Sequence, residues 1–235
     1  ADDAKTILGK LEHARGELIV LLNQDTVAAR SWLRALVSGM DAAPDAMAAH
    51  ANIIHPWYPD FAGIAERAEA RHAYTPDLAR GGYARYRDLG EQSLPVDVLV
   101  LSGASLVIRK TVLTELGYLF DEAFYSYGED WDLGFRIRSL GYCCLLGPGA
   151  TIYHMYEPKT KLRLASLTTT IRNIRNRYLA FYKVMTWREF IPMAALLALG
   201  GPLNAFEFGL PRWRQAFFAV ALVPAGILAL AAALL

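Results

Sequence analysis

Cysteine is scarce in this chain of 235 residues, and its two copies, Cys143 and Cys144, are adjacent in a predicted β-strand. Neighbouring side chains of a strand point to opposite faces of the sheet. The pair therefore argues against a structural disulfide or a zinc site and fits a reduced, cytosolic domain. An excess of one charge is also lacking, since the net charge is +1. This balance gives no indication of nucleic-acid binding.

Acidic residues are absent between Lys159 and Arg188, where the chain carries eight basic ones: Lys159, Lys161, Arg163, Arg172, Arg175, Arg177, Lys183 and Arg188. Such a segment suits a surface rich in phosphate. We therefore predict a basic juxtamembrane helix over 159–189 that contacts anionic lipid headgroups or a lipid-linked pyrophosphate. The alternative is a plain helix face in water.

Charge is absent altogether from Ala216 to Leu235. About twenty apolar residues suffice for a helix to cross a bilayer, so this segment is a transmembrane candidate. Phe190 to Leu210 is interrupted by glycine, proline and glutamate, and it fits a broken span, a re-entrant segment or an interfacial helix. The basic residues before Phe190 predict a catalytic domain on the cytoplasmic side. We expect membrane helices over 190–235, with the helical core of a soluble protein as the alternative.

What the chain does have is an acidic and aromatic run from Leu119 to Arg138, LFDEAFYSYGEDWDLGFRIR. Carboxylates held against aromatic side chains can be tuned for proton transfer. From Asp130 onward, apolar and basic residues alternate as on a half-buried helix. The alternative interpretation is an acidic first turn that complements the helix dipole, with Asp132 paired to Arg136.

A second acidic site lies upstream, where the apolar run from Glu17 to Leu22 ends at Asn23-Gln24-Asp25-Thr26. In α/β proteins, ligands gather at the carboxyl ends of the strands. An aspartate there can reach a divalent cation that also holds a diphosphate. Asp25 could equally cap the helix predicted to begin near Ser31.

Together these segments resemble the inverting glycosyltransferases of family two, and especially their rhamnosyltransferase-like branch. The resemblance rests, in chain order, on His13-Ala14-Arg15-Gly16-Glu17, Asn23-Gln24-Asp25-Thr26, Leu101 to Arg109, Gly117 to Leu133, and Gly141-Tyr142 through Pro148, Ala150 and His154. It implies an α/β GT-A fold, a mixed Rossmann-like sheet flanked by helices. The chain departs from the family pattern at Asn23, where the commoner motif has a first aspartate.

The resemblance also implies a domain plan. Residues 1–158 would form a partial GT-A catalytic domain, because the first predicted element, Asp3 to Ala14, is already a helix and the family places strands before it. We therefore expect a fragment without the front of its nucleotide-binding half, which would fold poorly and be inactive by itself.

In catalysis, the resemblance implies that Asp130 is the base, with Glu129 supporting the loop or positioning the acceptor. It places His154 at the metal or diphosphate site beside Asp25, with Mg²⁺ or Mn²⁺ as the cofactor, although an ordinary core histidine is the alternative. Gly103 and Ala104 are small enough to let a donor sugar approach the backbone. The remaining predicted donor- and acceptor-binding residues are Asp121, Glu122, Trp131, Asp132 and Arg136, and the last two would also orient the helix.

These expectations favour an inverting transferase that moves a sugar, with rhamnose the first choice, from a UDP- or dTDP-linked donor. The acceptor would be a lipid-linked molecule or a polysaccharide of the cell envelope. Two other classes stay open: a metal-dependent phosphohydrolase of lipid diphosphates, which needs more metal carboxylates near Asp25, and a noncatalytic membrane-anchored binding module.

Overall fold

The structure is a computed structural model and describes residues 16–54, 72–79, 83–154 and 164–207, together with Leu228 and Ala231. The predicted first helix, Asp3 to Ala14, lies outside the described residues. So does the apolar segment Ala216 to Leu235, apart from Leu228 and Ala231, which are helical and exposed.

Strands predominate in the first two thirds of the chain, with helices after β2 and β7, and two helices follow β8. The strands are β1 (Leu18–Leu22), β2 (Thr26–Ala28), β3 (Ala46–Ile54), β4 (His72–Ala79), β5 (Tyr83–Glu91), β6 (Val96–Asp97), β7 (Ser105–Arg109) and β8 (Cys143–His154). The helices are α1 (Trp32–Asp41), α2 (Lys110–Leu116), α3 (Glu129–Ser139), α4 (Leu164–Val184) and α5 (Trp187–Glu207), with a 3₁₀ turn at Glu122–Phe124.

The main sheet is mixed, as the sequence predicts. Its order is β1-β7-β3-β8-β2, and β6 pairs with β8 as a side branch. Among the strands that the structure describes, only β3 and β8 pair in parallel. Strand β7 is antiparallel to both β1 and β3, and β2 is antiparallel to β8. Strands β4 and β5 form a separate hairpin.

Strand β7 lies inside the sheet and is covered on both faces. Leu106 and Ile108 pack into the cluster that contains Leu133 and Ile137 of α3, whereas Val107 packs with Leu36 of α1. Successive side chains of a strand point to opposite faces, so a continuous apolar run is what this position requires. Helices α1 and α3 therefore cover the two faces and fix the sheet between them.

Helix α4 covers most of the basic segment predicted as a juxtamembrane helix. Phe181 and Tyr178 of α4 are buried with Trp131 and Phe135 of α3, and the rings of Phe135 and Phe181 stack with centroids 5.5 Å apart. Buried aromatic side chains thus join α4 to α3. None of the helices, over the residues described, combines the length and apolarity needed to cross a membrane.

Candidate active site

The sheet topology brings the two acidic segments to one edge. Strands β1, β3 and β8 run in the same direction, because β7 is antiparallel to its neighbours β1 and β3. The end of β1, the start of β7 and the end of β8 therefore share an edge. A backbone hydrogen bond of 3.1 Å from the Asn23 amide to the Ala104 carbonyl closes this edge beyond the last strand pair.

Asp25 and His154 meet at this edge although 129 residues separate them. Strand β2 pairs with β8 so that Thr26 lies opposite His154. The register places Nε2 of His154 3.2 Å from Oδ1 of Asp25. Thr26 fixes the turn between the strands, since its hydroxyl donates a 2.6 Å hydrogen bond to the Asn23 carbonyl. The two residues predicted from the sequence as metal ligands are thus side by side.

Asp130 is attached to the same edge through Gly103. The Gly103 amide donates a 2.8 Å hydrogen bond to Oδ2 of Asp130, and the Trp131 amide donates one of 3.0 Å to Oδ1. A Cβ added at Gly103 would lie 3.5 Å from Oδ2, so the backbone approaches the carboxyl group closely. Gly103 precedes Ala104, whose carbonyl accepts from Asn23. Asp130 therefore belongs to the site that contains Asp25.

The environment of Asp130 favours its neutral form. The pKa of Asp130 is raised to about 7, mainly by burial and further by the negative charge of Glu129. The hydrogen bonds from Gly103 and Trp131 lower this pKa but do not offset the rise. Burial also raises the pKa of Glu129, and its Oε2 is buried without a hydrogen-bond partner among the residues described. A carboxyl group with a pKa near neutrality can accept and return a proton at physiological pH.

Asp132 and Arg136 belong to a buried ion network. Asp132 is fully buried and pairs with Arg136 at 2.7 Å and with Lys183 of α4 at 2.8 Å. Arg136 also donates to the carbonyls of Tyr118 and Leu119. Asp132, predicted as a donor- or acceptor-binding residue, is enclosed by these partners. The paired arrangement of Asp132 and Arg136, named as the alternative from sequence, is present.

Asp121, also predicted to bind donor or acceptor, joins the same network. Its carboxylate accepts from the Ala123 amide at 2.8 Å and pairs with Lys183 at 2.7 Å. Burial alone would raise the pKa of Asp121, but the hydrogen bond from Lys183 and that from Ala123 outweigh it, so the pKa lies below its usual value. The segment before the site is thus tied to α4 by a charge pair.

Trp131 and Glu122, two further residues predicted to bind donor or acceptor, lie in different surroundings. Trp131 is only 8% exposed and packs with Phe124 and Phe135 in the apolar cluster between α3 and α4. Glu122 lies exposed at the start of the 3₁₀ turn, and its carbonyl accepts from the Tyr125 amide. Of the predicted binding residues, Gly103 and Ala104 lie beside Asp130.

The residues of α4 that contact the segment before Asp130 were not predicted as part of the site. Lys183 bridges Asp121 and Asp132, and Asn176 is fully buried against the loop that precedes Asp130. The apolar pattern of the helix gave no signal for Asn176, because a residue two positions from Ile174 and from Tyr178 does not share their face. Its partner could not be inferred from that pattern.

The mixed sheet, its flanking helices and the carboxylates at one edge define a GT-A type domain, and solved structures support this class. A structure of GalNAc-T7 with UDP, GalNAc and Mn²⁺ aligns with 88% of this chain and 38% of that protein, at TM-score 0.58 and 13% identity. The mannosyltransferase PcManGT from Pyrobaculum calidifontis, in complex with GDP-Man and Mn²⁺, aligns with 99% of this chain and 54% of that protein, at TM-score 0.51 and 18% identity. Both likenesses concern the fold.

The family follows from the sequence. Residues 3–177 match the profile of glycosyltransferase-like family 2, and the chain belongs to this family. A curated relative, the uncharacterized protein y4gI of Sinorhizobium fredii (strain NBRC 101917 / NGR234), is 25% identical over 214 residues. This match covers 85% of the chain but only 22% of y4gI, so the chain spans about a fifth of that relative.

Proposed function

We propose that this domain transfers a sugar from a nucleotide-diphosphate donor to a hydroxyl group with inversion at the anomeric carbon, and that Asp130 is the base. The observation that carries the proposal is the placement of Asp130. Its carboxyl group, whose pKa is raised to about 7, is hydrogen-bonded to Gly103, at the edge where Asp25 and His154 meet.

The proposed reaction is a single displacement. The acceptor oxygen attacks the anomeric carbon while its proton passes to the Asp130 carboxylate. The bond from the anomeric carbon to the diphosphate oxygen breaks, and its electron pair leaves with the nucleotide diphosphate. Direct attack from the opposite side inverts the configuration. Because Asp130 has both oxygens fixed by backbone amides, it is oriented before the acceptor arrives.

Asp25 and His154 fit a divalent cation. Carboxylate oxygen suits Mg²⁺ and Mn²⁺, and magnesium is commonly bound by one or two carboxylates together with substrate phosphates. Within the described part of the chain, no group of three or more His, Cys, Asp or Glu side chains could hold a metal, so the diphosphate would complete the coordination. A cation held there would offset the negative charge that develops on the departing diphosphate. The Mn²⁺ in the GalNAc-T7 and PcManGT structures supports this assignment.

For the donor we propose a UDP- or dTDP-linked sugar, with rhamnose first, and for the acceptor a lipid-linked or polysaccharide glycan of the cell envelope. The resemblance to the rhamnosyltransferase-like branch supports this choice. We also propose a cytoplasmic-membrane location with the catalytic domain facing the cytoplasm, supported by the uncharged sequence from Ala216 to Leu235. Sedimentation of the complete protein with membranes after an alkaline wash tests this location, and release into the supernatant would contradict integral attachment.

The test of the reaction compares Asp130→Asn with the unaltered complete protein on a panel of nucleotide sugars. Loss of a general base typically lowers turnover by about 10²- to 10⁴-fold, so we expect a fall of this size in kcat. Donor binding, measured by calorimetry, should be retained, because the asparagine still has an oxygen to accept from Gly103. The anomeric configuration of the product, read by NMR, should be opposite to that of the donor.

Asp41→Asn is the matched control, since Asp41 is exposed at the end of α1. It should transfer sugar at the normal rate. Retained turnover in Asp130→Asn would refute the role of Asp130. Release of phosphate from lipid diphosphates without sugar transfer would indicate the phosphohydrolase class instead.

A further inference from the structure

Asn176 of α4 contacts the loop that leads into the catalytic helix. Its side-chain nitrogen lies within hydrogen-bonding distance of three carbonyl oxygens, those of Phe124 (2.8 Å), Ser126 (2.9 Å) and Tyr127 (2.6 Å). Its oxygen accepts a 2.9 Å hydrogen bond from Arg175. The side chain is fully buried. The nitrogen of the amide therefore contacts a loop about 50 residues away in sequence, while its oxygen is bonded to the neighbouring Arg175.

The loop needs such a partner because its backbone is unusual. Tyr125 and Tyr127 have positive φ values of 58° and 71°, and Gly128 follows with 87°. Residues with a side chain adopt this region at a cost in free energy, and they persist there only when the surroundings impose it. This path turns three carbonyl oxygens toward one point. Without a donor at that point, the oxygens would repel one another and would be buried without partners.

The spacing of contacts on α4 shows that the helix holds the whole segment. Lys183 lies seven residues after Asn176, on the same side of the helix, and pairs with Asp121 at the start of the segment. Arg175 donates a 2.6 Å hydrogen bond to the Ala123 carbonyl. At the other end, a Cβ on Gly128 would lie 3.4 Å from Cβ of Asn176. Helix α4 therefore contacts residues 121–128 from one end of the segment to the other.

Asp130 follows this segment directly. The Gly128 carbonyl accepts the hydrogen bond of the Asp132 amide, which begins α3, and Asp130 lies in that first turn. A shift of the loop would thus move the start of α3 and lengthen the contact between Asp130 and Gly103.

We propose that Asn176 is a positioning residue for sugar transfer, which holds the Asp130 carboxylate in its productive orientation through the carbonyls of residues 124–127. The inference rests on the proposed function. It gives α4, which follows the last strand of the sheet, an indirect part in catalysis. Asn176 touches the loop and acts through it.

The test is Asn176→Asp in the complete protein, because aspartate keeps the size and removes the donor. We expect kcat to fall at least tenfold while KM for the donor nucleotide sugar stays within twofold, since the donor site at Gly103 and Asp25 is intact. Hydrogen exchange at the amides of Tyr125 and Ser126 should become faster. Asn173→Asp is the matched control, one turn earlier on the same helix and partly buried, and it should match the unaltered protein in all three measurements.

An unchanged kcat in Asn176→Asp, or unchanged exchange in the loop, would overturn the inference while leaving the proposed function intact. Absence of sugar transfer by the unaltered protein would instead defeat the proposed function, and the inference with it. If Asn176→Asp does not fold, Asn176→Ala, which removes the donor without adding a charge, takes its place with the same expectations. Hydrogen exchange in the unaltered protein is a further check. Unprotected exchange at the amides of Tyr125 and Ser126 would also overturn the inference.

Discussion

Lys183 offers the sharpest test of how the catalytic segment is held to α4. Its ammonium group lies 2.7 Å from Asp121 and 2.8 Å from Asp132, and its side chain is 17% exposed. Lys183→Met keeps the aliphatic stem and removes the charge. Asp132, with no exposure, then keeps only Arg136 as its ion partner.

The size of the effect follows from this burial. Removing one partner of a buried ion pair costs about 3–5 kcal/mol. We take the lower end, about 3 kcal/mol, because Arg136 still compensates Asp132 and because Asp121 can regain water. For a chain of this size each kcal/mol lowers Tm by about 2–4 °C. Lys183→Met should therefore melt about 6–12 °C lower, which calorimetry together with urea unfolding would measure.

The pH dependence gives an independent check. Burial lowers the pKa of Lys183, but the hydrogen bonds to Asp121 and Asp132 raise it more, so it lies above 10.5. The pKa of Asp121 lies below 3.8. The contribution of Lys183 to the free energy of unfolding is thus fully present below pH 10.5. The contribution of Asp121 is fully present above pH 3.8. The first is lost as pH rises through the folded pKa of Lys183, and the second as pH falls through that of Asp121. The difference between the proteins should stay constant from about pH 5 to about pH 9.

Arg188→Met is the control, because Arg188 is exposed on α5. Substitutions at such surface positions usually change stability by less than about 0.5 kcal/mol. If Lys183→Met destabilises the protein no more than Arg188→Met does, the network does not hold the segment, and the argument from burial is wrong.

Two further predictions concern the reaction itself. Transfer should be lost as pH falls through about 7, where Asp130 becomes protonated. Glu129→Gln should move this acidic limb of the kcat/KM profile to lower pH, because it removes the neighbouring negative charge. An unmoved limb would contradict the effect of Glu129 on the pKa of Asp130. Removal of divalent cations with EDTA should abolish transfer and Mn²⁺ should restore it, and Asp25→Asn should weaken Mn²⁺ binding in calorimetry by about tenfold or more. Equal Mn²⁺ affinity in Asp25→Asn and the unaltered protein would remove Asp25 from the metal site.

Much of the local structure could be read from sequence pattern. The apolar run before Asn23 is strand β1, and the alternation after Asp130 is helix α3. Period and capping are properties of neighbouring residues, so they are visible without the fold. The ordered motifs between His13 and His154 also predicted the family and the mixed sheet. The family profile confirms the first, and the strand order confirms the second.

The partners of the acidic residues were harder to predict. Asp121, Trp131 and Asp132 stand beside Asp130 in the sequence and share its composition, yet they pack against α4 or pair with Lys183. Which carboxylate faces the site depends on how α3 is rotated against its neighbours. Composition contains no information on that rotation.

The sequence by itself therefore determined the class of domain and the elements that carry its carboxylates. Only the tertiary structure decided which side chains meet: His154 with Asp25 through the register of β2 on β8, Asp130 with Gly103 across the sheet edge, and Asn176 with the loop before α3. The physical reason is the sequence separation between the residues that interact. Secondary structure follows from spacings of two to four residues, whereas these contacts join segments that only strand register and helix packing bring together.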